Sequence, residues 1–324
     1  MIGFSCGEQG TAADTLLACV SYGRGAAPDS DLLVPMPVLP EAGLIHTLWR
    51  GRGVCQAGNL KGVAYRFDEE ALFGVLRLEE PDFSGDASAS ALERATQQAY
   101  ERVFDVLEQT GFPFLVRCWN YLPGINVHEQ GQERYRQFNA GRQRAFEAAG
   151  RGRMAPAASA LGTQDGSLVF YFLASRYQPQ AIENPRQVSA WRYPSQYGSR
   201  SPFFSRATLL PLPDGEALFV SGTASIVGHE SRHVGDVAAQ TTETLRNIEA
   251  VVEEANRCSR LKGFRVRDLW FKIFVRNPGD FQTIRDVLIQ ALGPQVAFVC
   301  VHADVCRAEL LVEIEALGLR SENG

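Results

Sequence analysis

Apolar and polar residues alternate in short runs over the first eighty positions. This period of two predicts strands at Thr15–Tyr22, Leu32–Val38, Leu44–Trp49, Gly62–Phe67 and Leu72–Leu78, separated by Gly, Pro and Asp. Pro81–Ser90 is a loop. From Ala91 the period changes to that of a helix, with Leu92, Ala95, Ala99, Val103, Val106 and Leu107 on one face and Gly111 as its stop. A strand over Phe112–Tyr121 and a second helix over Gln130–Ala149 follow.

Arg151–Ala158, rich in Gly, Pro and Ala, reads as the entry to a second half. Strands are expected there at Leu168–Ser175, Phe204–Leu210 and Ala217–Ile226. A helix begins near Asp236, with Thr241, Leu245, Ile248, Val251, Val252 and Ala255 as its apolar stripe. A strand over Arg265–Val275, a helix over Pro278–Leu292 and strands over Gln295–His302 and Leu310–Ala316 complete the chain. The order strands, helix, strand, helix thus occurs twice, and ATQQAYERVFDVLEQTG aligns with AQTTETLRNIEAVVEEAN at the helix starts. Two related lobes are expected, residues 1–150 and 151–324, with a functional site in the crevice between them.

Composition narrows the function. The 324 residues are 45% hydrophobic and 21% charged with a formal charge of −5, a globular balance. No basic run offers a footprint for nucleic acid. No window approaches about 18 apolar residues, so no membrane helix is expected. The start MIGFSCGEQG has no basic region before an apolar one, and a cytoplasmic protein is expected. Seven cysteines without a C-x-x-C pair predict reduced thiols with neither a disulfide framework nor a zinc site.

Three clusters could carry chemistry. In ERYRQFNAGR (133–142), Tyr135, Asn139 and Arg142 share a helix face, and Gly141 would be explained by close approach of a ligand or another backbone; a solvated polar face is the plainer reading. FVSGTASIVGH (219–229) brings small residues to the end of a strand, where a ligand could approach, although a tight strand exit would look the same. His229 and His233 are four apart, but Gly235 makes a helical metal pair a poor reading. In LLVEIEA (310–316), Val312 and Ile314 point to one face of a strand, Glu313 and Glu315 to the other. Burial of that pair would leave one carboxyl protonated near neutral pH, whereas a solvent-facing edge would leave both charged. No Walker A, G-x-S-x-G or strand-borne G-x-G-x-x-G pattern occurs, so no nucleotide cofactor is expected.

Residues 217–317, with VSGTASIVGHES, LWFKIFVRNPGDF and LLVEIEALG, resemble the reactive-intermediate deaminase (Rid) superfamily, and the first half looks like a degenerate copy. The chain as a whole resembles the chorismatase family more closely, through RCWNYLPGIN (117–126), ERYRQFNAGRQRAF (133–146), SGTASIVGHES (221–231) and CRAELLVEIE (306–315). The resemblance implies an α+β fold of two Rid-like (chorismate-mutase-like) lobes, each a mixed sheet covered by helices on one face. It implies a cofactor-free enzyme that takes chorismate and releases pyruvate.

By the same resemblance Glu313 is the general acid that protonates the enolpyruvyl methylene, and Glu315 holds that proton or positions Glu313. Arg142 with Tyr135 clamps one substrate carboxylate, and Arg276 takes the other, with Arg200, Arg206 and Arg285 as alternatives. Cys306 resembles the members that form 3-hydroxybenzoate by intramolecular capture. Ala224 resembles those that hydrolyse chorismate to 3,4-dihydroxycyclohexa-1,5-diene carboxylate. The thiol carries more weight, because it can interact with a developing ring oxygen. A mixed 3-/4-hydroxybenzoate former and a small-molecule binding protein on the Rid fold are the alternatives. Rid deaminases have an Arg before the final strands, where this chain has Phe298, Val299 and Cys300, so imine hydrolysis is disfavoured. A monomer or small homo-oligomer is expected.

Overall fold

The computed structural model describes residues 2–7, 13–25, 27, 31–41, 43–85, 89–152, 154–198 and 200–322. Helix α1 (Ala91–Thr110) starts where the hydroxyl of Ser90 accepts the Glu93 N–H at 3.1 Å and stops at Gly111, whose N–H returns to the Leu107 carbonyl. Helix α2 spans Arg134–Ala148 and is shorter at its start than the sequence predicts, since 128–129 and 132–133 pair as a small hairpin instead. Helix α3 (Val237–Cys258) is capped by Asp236, whose carboxylate accepts the Ala239 N–H at 2.9 Å. Helix α4 spans Phe281–Leu292 after a 3-10 turn at Pro278–Asp280. No helix among the described residues is long and apolar enough to cross a membrane.

The strands form two large mixed sheets. The first runs, edge to edge, Ala157–Thr163, Phe114–Pro123, Leu168–Ser175, Ala71–Leu78, Val63–Phe67 and Gln56–Leu60. The second runs Gln180–Ile182, Ala207–Leu212, Gly215–Ala224, Val312–Ser321, Trp270–Val275, Ala297–His302 and Val38–Leu39. Read in chain order, both lobes go hairpin, helix, strand, helix, strand, strand, and both place the last strand between the hairpin and the strand after the first helix. In each sheet one pair is parallel, 157–163 with 114–123 and 270–275 with 297–302, because a helix crosses over between them.

The strands at 157–163 and 168–175 therefore belong to the first sheet, and a division at residue 150 falls inside that lobe. The sequence AASALGT at 157–163 is small and only weakly β-forming. It is a strand because its parallel partner, 114–123, supplies the ladder. The predicted strand 32–38 is split in two, since Pro35 and Pro37 lack ladder donors.

Helices α1 and α2 cover the outer face of the first sheet, around Leu92, Tyr100, Phe138, Phe146 and Phe170. Helices α3 and α4 cover the outer face of the second, around Ile248, Val252, Ile273, Ile284 and Ile314. The inner faces share one core that includes Trp119, Tyr171, Phe219 and Phe274. A small sheet of Gly3–Gly7, Ile45–Arg50, Leu16–Tyr22 and Leu32–Val34 closes it with Val20, Tyr22 and Trp49.

Gly141 is a packing device. A Cβ there would overlap the carbonyl oxygen of Glu93 on α1, so the glycine is what lets α1 and α2 touch. Of the two explanations expected for it, another backbone is the one found. Gly141→Ala is therefore expected to lower stability by about 1–3 kcal/mol in urea unfolding, although alanine would favour an isolated helix by about 1 kcal/mol.

Candidate active site

Strand Val312–Ser321 lies in the middle of the second sheet, between Gly215–Ala224 and Trp270–Val275. Its alternation sends Val312, Ile314 and Ala316 to the helix side. Glu313 and Glu315 face the interior between the lobes, and each is about 95% buried. Two neighbouring carboxylates in a low-dielectric interior cannot both be left charged without partners. The protein gives all the partners to one of them.

Glu315 receives Lys272 Nζ at 2.8 Å and Trp119 Nε1 at 2.9 Å on one oxygen. Its other oxygen receives an Arg117 guanidinium nitrogen and the Ser159 hydroxyl, both at 2.7 Å. Burial alone would favour the neutral acid, but Lys272 and Arg117 outweigh it and hold the group below the usual carboxylate range. Lys272 is equally buried. Burial works against its charge, yet Glu315 and then Tyr22 carry the balance upward, and its ammonium also donates to the Tyr22 hydroxyl at 2.7 Å. The buried centre is thus an ionised Glu–Lys–Arg set.

Glu313 has no such partners. No hydrogen bond reaches its carboxyl from any described residue. Burial, and then the fixed charge of Glu315, lift it to about 8 against the pull of Arg117, Arg206 and Arg276. The environment thus drives two adjacent carboxyls apart, holding Glu315 charged and Glu313 toward its protonated form.

The carboxyl of Glu313 lies over Gly222 on the neighbouring strand, where a Cβ would overlap Oε1. It opens into a cavity of about 430 Å³ in the crevice between the lobes. The first lobe contributes Tyr135 from the start of α2, the connecting segment contributes Tyr193, Tyr197 and Arg206, and the second lobe contributes Gly222, Ala224, Cys306 and Arg307. Ala224 pairs directly with Glu313 across the ladder. Burial pushes the Cys306 thiol up to about 12, so it is a thiol and not a thiolate. Burial likewise raises the Tyr135 phenol, leaving it a hydrogen-bonding group.

Of the seven residues singled out in the sequence, Glu313, Cys306, Tyr135 and Ala224 meet at this cavity. Glu315 sits behind Glu313, sealed in the ionic cluster. Arg142 and Arg276 do not line the cavity. Arg142 shares the α2 face of Tyr135, but seven residues carry it about 10 Å along the axis. There it is buried over the Phe138 ring and donates to Asn139 at 3.4 Å. Arg276 is occupied in holding the 304–310 loop, through Asp304 at 2.6 Å, Asn126 at 3.1 Å and the carbonyls of Val305, Arg307 and Leu310.

The guanidinium groups at the cavity are those of Arg136, Arg206 and Arg307. Arg206 is buried, donates to the Val188 carbonyl and the Tyr193 hydroxyl, both at 2.8 Å, and packs on Tyr193 and Phe204. Arg307 lies 4.1 Å over the Tyr197 ring and donates to the His229 carbonyl and Ser231 hydroxyl. Arg200 pairs with Glu147, and Arg285 with Asp286, away from the cavity.

The family model described as chorismatase FkbO/Hyg5-like, N-terminal, matches residues 47–174, and the one described as endoribonuclease L-PSP matches residues 204–319. The first span takes in nearly all of the first large sheet and its two helices, and the second takes in the five central strands of the second sheet and its two helices. A Streptomyces rapamycinicus protein named chorismatase is 39% identical over 277 residues, which cover 83% of this chain and 80% of that one. A Streptomyces hygroscopicus protein named 3-hydroxybenzoate synthase is 37% identical over 293 residues, 86% of this chain and 83% of its own. A crystal structure of a chorismatase superposes with a TM-score of 0.87 at 32% identity, covering 98% of each chain.

The protonated state of Glu313 has a stability signature. Its folded value lies above its unfolded one, so its contribution is complete in acid and declines as pH rises from about 4.5 to about 8. Gln has no proton to lose. The Tm of Glu313→Gln is expected to gain on the wild type across that window, by roughly several degrees at its upper end. Parallel Tm curves in a pH series of thermal melts would mean that folding does not raise the pKa of Glu313.

Proposed function

This chain belongs to the chorismatase family, and from that premise we propose that it is a cytoplasmic enzyme converting chorismate to 3-hydroxybenzoate and pyruvate, with Glu313 as the proton donor. The observation that carries the reading is a buried carboxyl without a hydrogen-bond partner among the described residues, beside a fixed carboxylate, facing the interlobe cavity. Protonating a vinyl ether at carbon needs an acid that is neutral at working pH and held out of bulk water. Glu315 cannot serve, since its lone pairs are taken by four donors.

In this reading Glu313 delivers its proton to the enolpyruvyl methylene. The oxocarbenium ion that forms is captured within the molecule, pyruvate departs, and the ring gives up a proton as it becomes aromatic. The two products contain the atoms of chorismate and no others, so neither water nor an oxidant enters. The two substrate carboxylates are held by Arg206 and Arg307 in place of Arg142 and Arg276. Both guanidiniums are fixed against tyrosine rings, a geometry that pre-orients a planar fork for carboxylate. Tyr135 supplies a neutral donor from the first lobe.

Cys306 favours the benzoate branch: its neutral thiol lies beside Glu313, at the wall the ring would face. A relative named 3-hydroxybenzoate synthase, 37% identical, favours it too. Ala224 favours the second reading, a chorismate hydrolase that adds one water and gives the dihydroxydiene acid. Its methyl group lies across the ladder from Glu313.

Incubation with chorismate in a lactate dehydrogenase-coupled assay is expected to report pyruvate, and chromatography against authentic acids to show 3-hydroxybenzoate. Chorismate binding without pyruvate would leave a binding protein. Glu313→Gln is expected to cut kcat by roughly 10²-fold or more while KM moves little. Wild-type kcat is expected to fall as pH rises through about 8, where the acid loses its proton. Cys306→Ala is expected to shift product toward the dihydroxydiene acid, and an unchanged product ratio would remove the thiol from the branch point.

A further inference from the structure

The strand beneath Glu313 is not regular. Its pairing with 312–321 runs in register through Val220↔Ala316, breaks, and resumes at Thr223↔Ile314, leaving Ser221 and Gly222 against Glu315 alone. This is a bulge, and a bulge turns a backbone N–H away from the ladder. The Ser221 N–H turns to the Arg206 carbonyl at 3.0 Å, and the Ser221 hydroxyl and Gly222 N–H meet the edge strand of the other lobe. The Ser221 hydroxyl accepts the Ala158 N–H at 2.9 Å and donates to the Ser205 carbonyl at 2.6 Å. The Gly222 N–H goes to the Ser159 hydroxyl at 3.0 Å.

Ser159 therefore stands at a junction. Its oxygen accepts the Gly222 N–H and an Arg117 N–H at 2.5 Å, and its own proton goes to Glu315 at 2.7 Å. The bonds to Arg117 and Glu315 are buried and that from Gly222 is partly so, and all three end on groups that frame Glu313 of the second lobe. Gly222 is the residue over which the Glu313 carboxyl lies. A backbone N–H beneath a carboxyl is the usual means by which proteins stabilise a carboxylate. Here that N–H is already taken.

We propose that Ser159 is a positioning residue for the acid: by holding the Gly222 N–H and the Glu315 carboxylate together, it keeps the carboxyl of Glu313 over a bulge that offers it no donor. The inference rests on the reading of Glu313 as proton donor. The groups facing Glu313 are Glu315 on its own strand, Arg117 from the first sheet, Arg206 from the connecting segment, Arg276 behind the 304–310 loop, Tyr135 from α2 and the Cys306 thiol. Ser159 touches two of these, Arg117 and Glu315, and does not line the cavity. Its effect on turnover is through others.

The test is the pH profile of kcat for Ser159→Ala and Ser159→Cys in the full chain, beside Glu313→Gln. With the hydroxyl gone, the Gly222 N–H becomes available to the Glu313 carboxylate. Ser159→Ala is expected to lose at least about tenfold in kcat with KM within about threefold, and the alkaline limb is expected to move to lower pH by roughly half a unit or more. Ser159→Cys keeps the volume with a weaker acceptor, and its limb is expected between those of the wild type and Ser159→Ala. A limb that stays at the wild-type position in both variants overturns the inference, because loss of folded protein lowers amplitude without moving a midpoint. Turnover that survives in Glu313→Gln overturns the acid assignment itself, whatever the serine variants do.

Discussion

The structure is organised around one buried carboxylate. Glu315 brings together a lysine from its own sheet with an arginine, a tryptophan and a serine from the other, and Lys272 extends the set to Tyr22 of the small sheet. The two large sheets and the four-stranded sheet thus meet at a single charged centre. Such a centre is not a cheap source of stability. Taking each ion out of water costs several kcal/mol, and the attraction between them returns this only if every lone pair and proton is matched. What the cluster supplies is definition: a slipped register would leave a bare charge in an apolar interior, so few alternative packings of the two lobes survive.

That definition has a chemical use. The fixed charge of Glu315 and the burial of Glu313 act in the same direction, and the ladder spaces the two residues so that one faces the cavity and the other the cluster. Acid strength at the site is thus a property of the packing between lobes more than of any residue touching the substrate. The bulge at Ser221–Gly222 belongs to the same arrangement, since it makes room for the carboxyl and passes its spare N–H across the crevice.

Much of this could be read from the chain before any coordinates. The helices were legible because Ser90 and Asp236 mark their starts and the apolar stripes repeat cleanly. The shared face of Glu313 and Glu315 was legible because they alternate with Val312 and Ile314, but spacing alone left a solvent-facing edge open, and only the fold buries the pair. The strand 157–163 was not, because its small residues carry no period and its ladder comes from a partner forty residues earlier. The distance of Arg142 and Arg276 from the cavity lining was hidden for a related reason. Local spacing placed Arg142 beside Tyr135, but depth along a helix is not visible in spacing, and Arg276 is consumed by a loop that only the fold brings to it. The ionic cluster leaves one mark in the sequence: Arg117 and Lys272 interrupt the apolar strands FLVRCWNYLP and WFKIFV, and a charge in such a place needs a buried partner.

The matching strand orders of the two lobes carry a consequence for molecularity. Where like subunits build a site at their boundary, the site exists only above some concentration and vanishes on dilution. Here the two faces of the crevice are joined by one polypeptide, and the segment between residues 175 and 207 tethers them. Docking of the lobes is a first-order event at the effective concentration set by that tether. Within the chain, the pairing of Arg117 and Ser159 with Glu315 is indifferent to how much protein the cell makes.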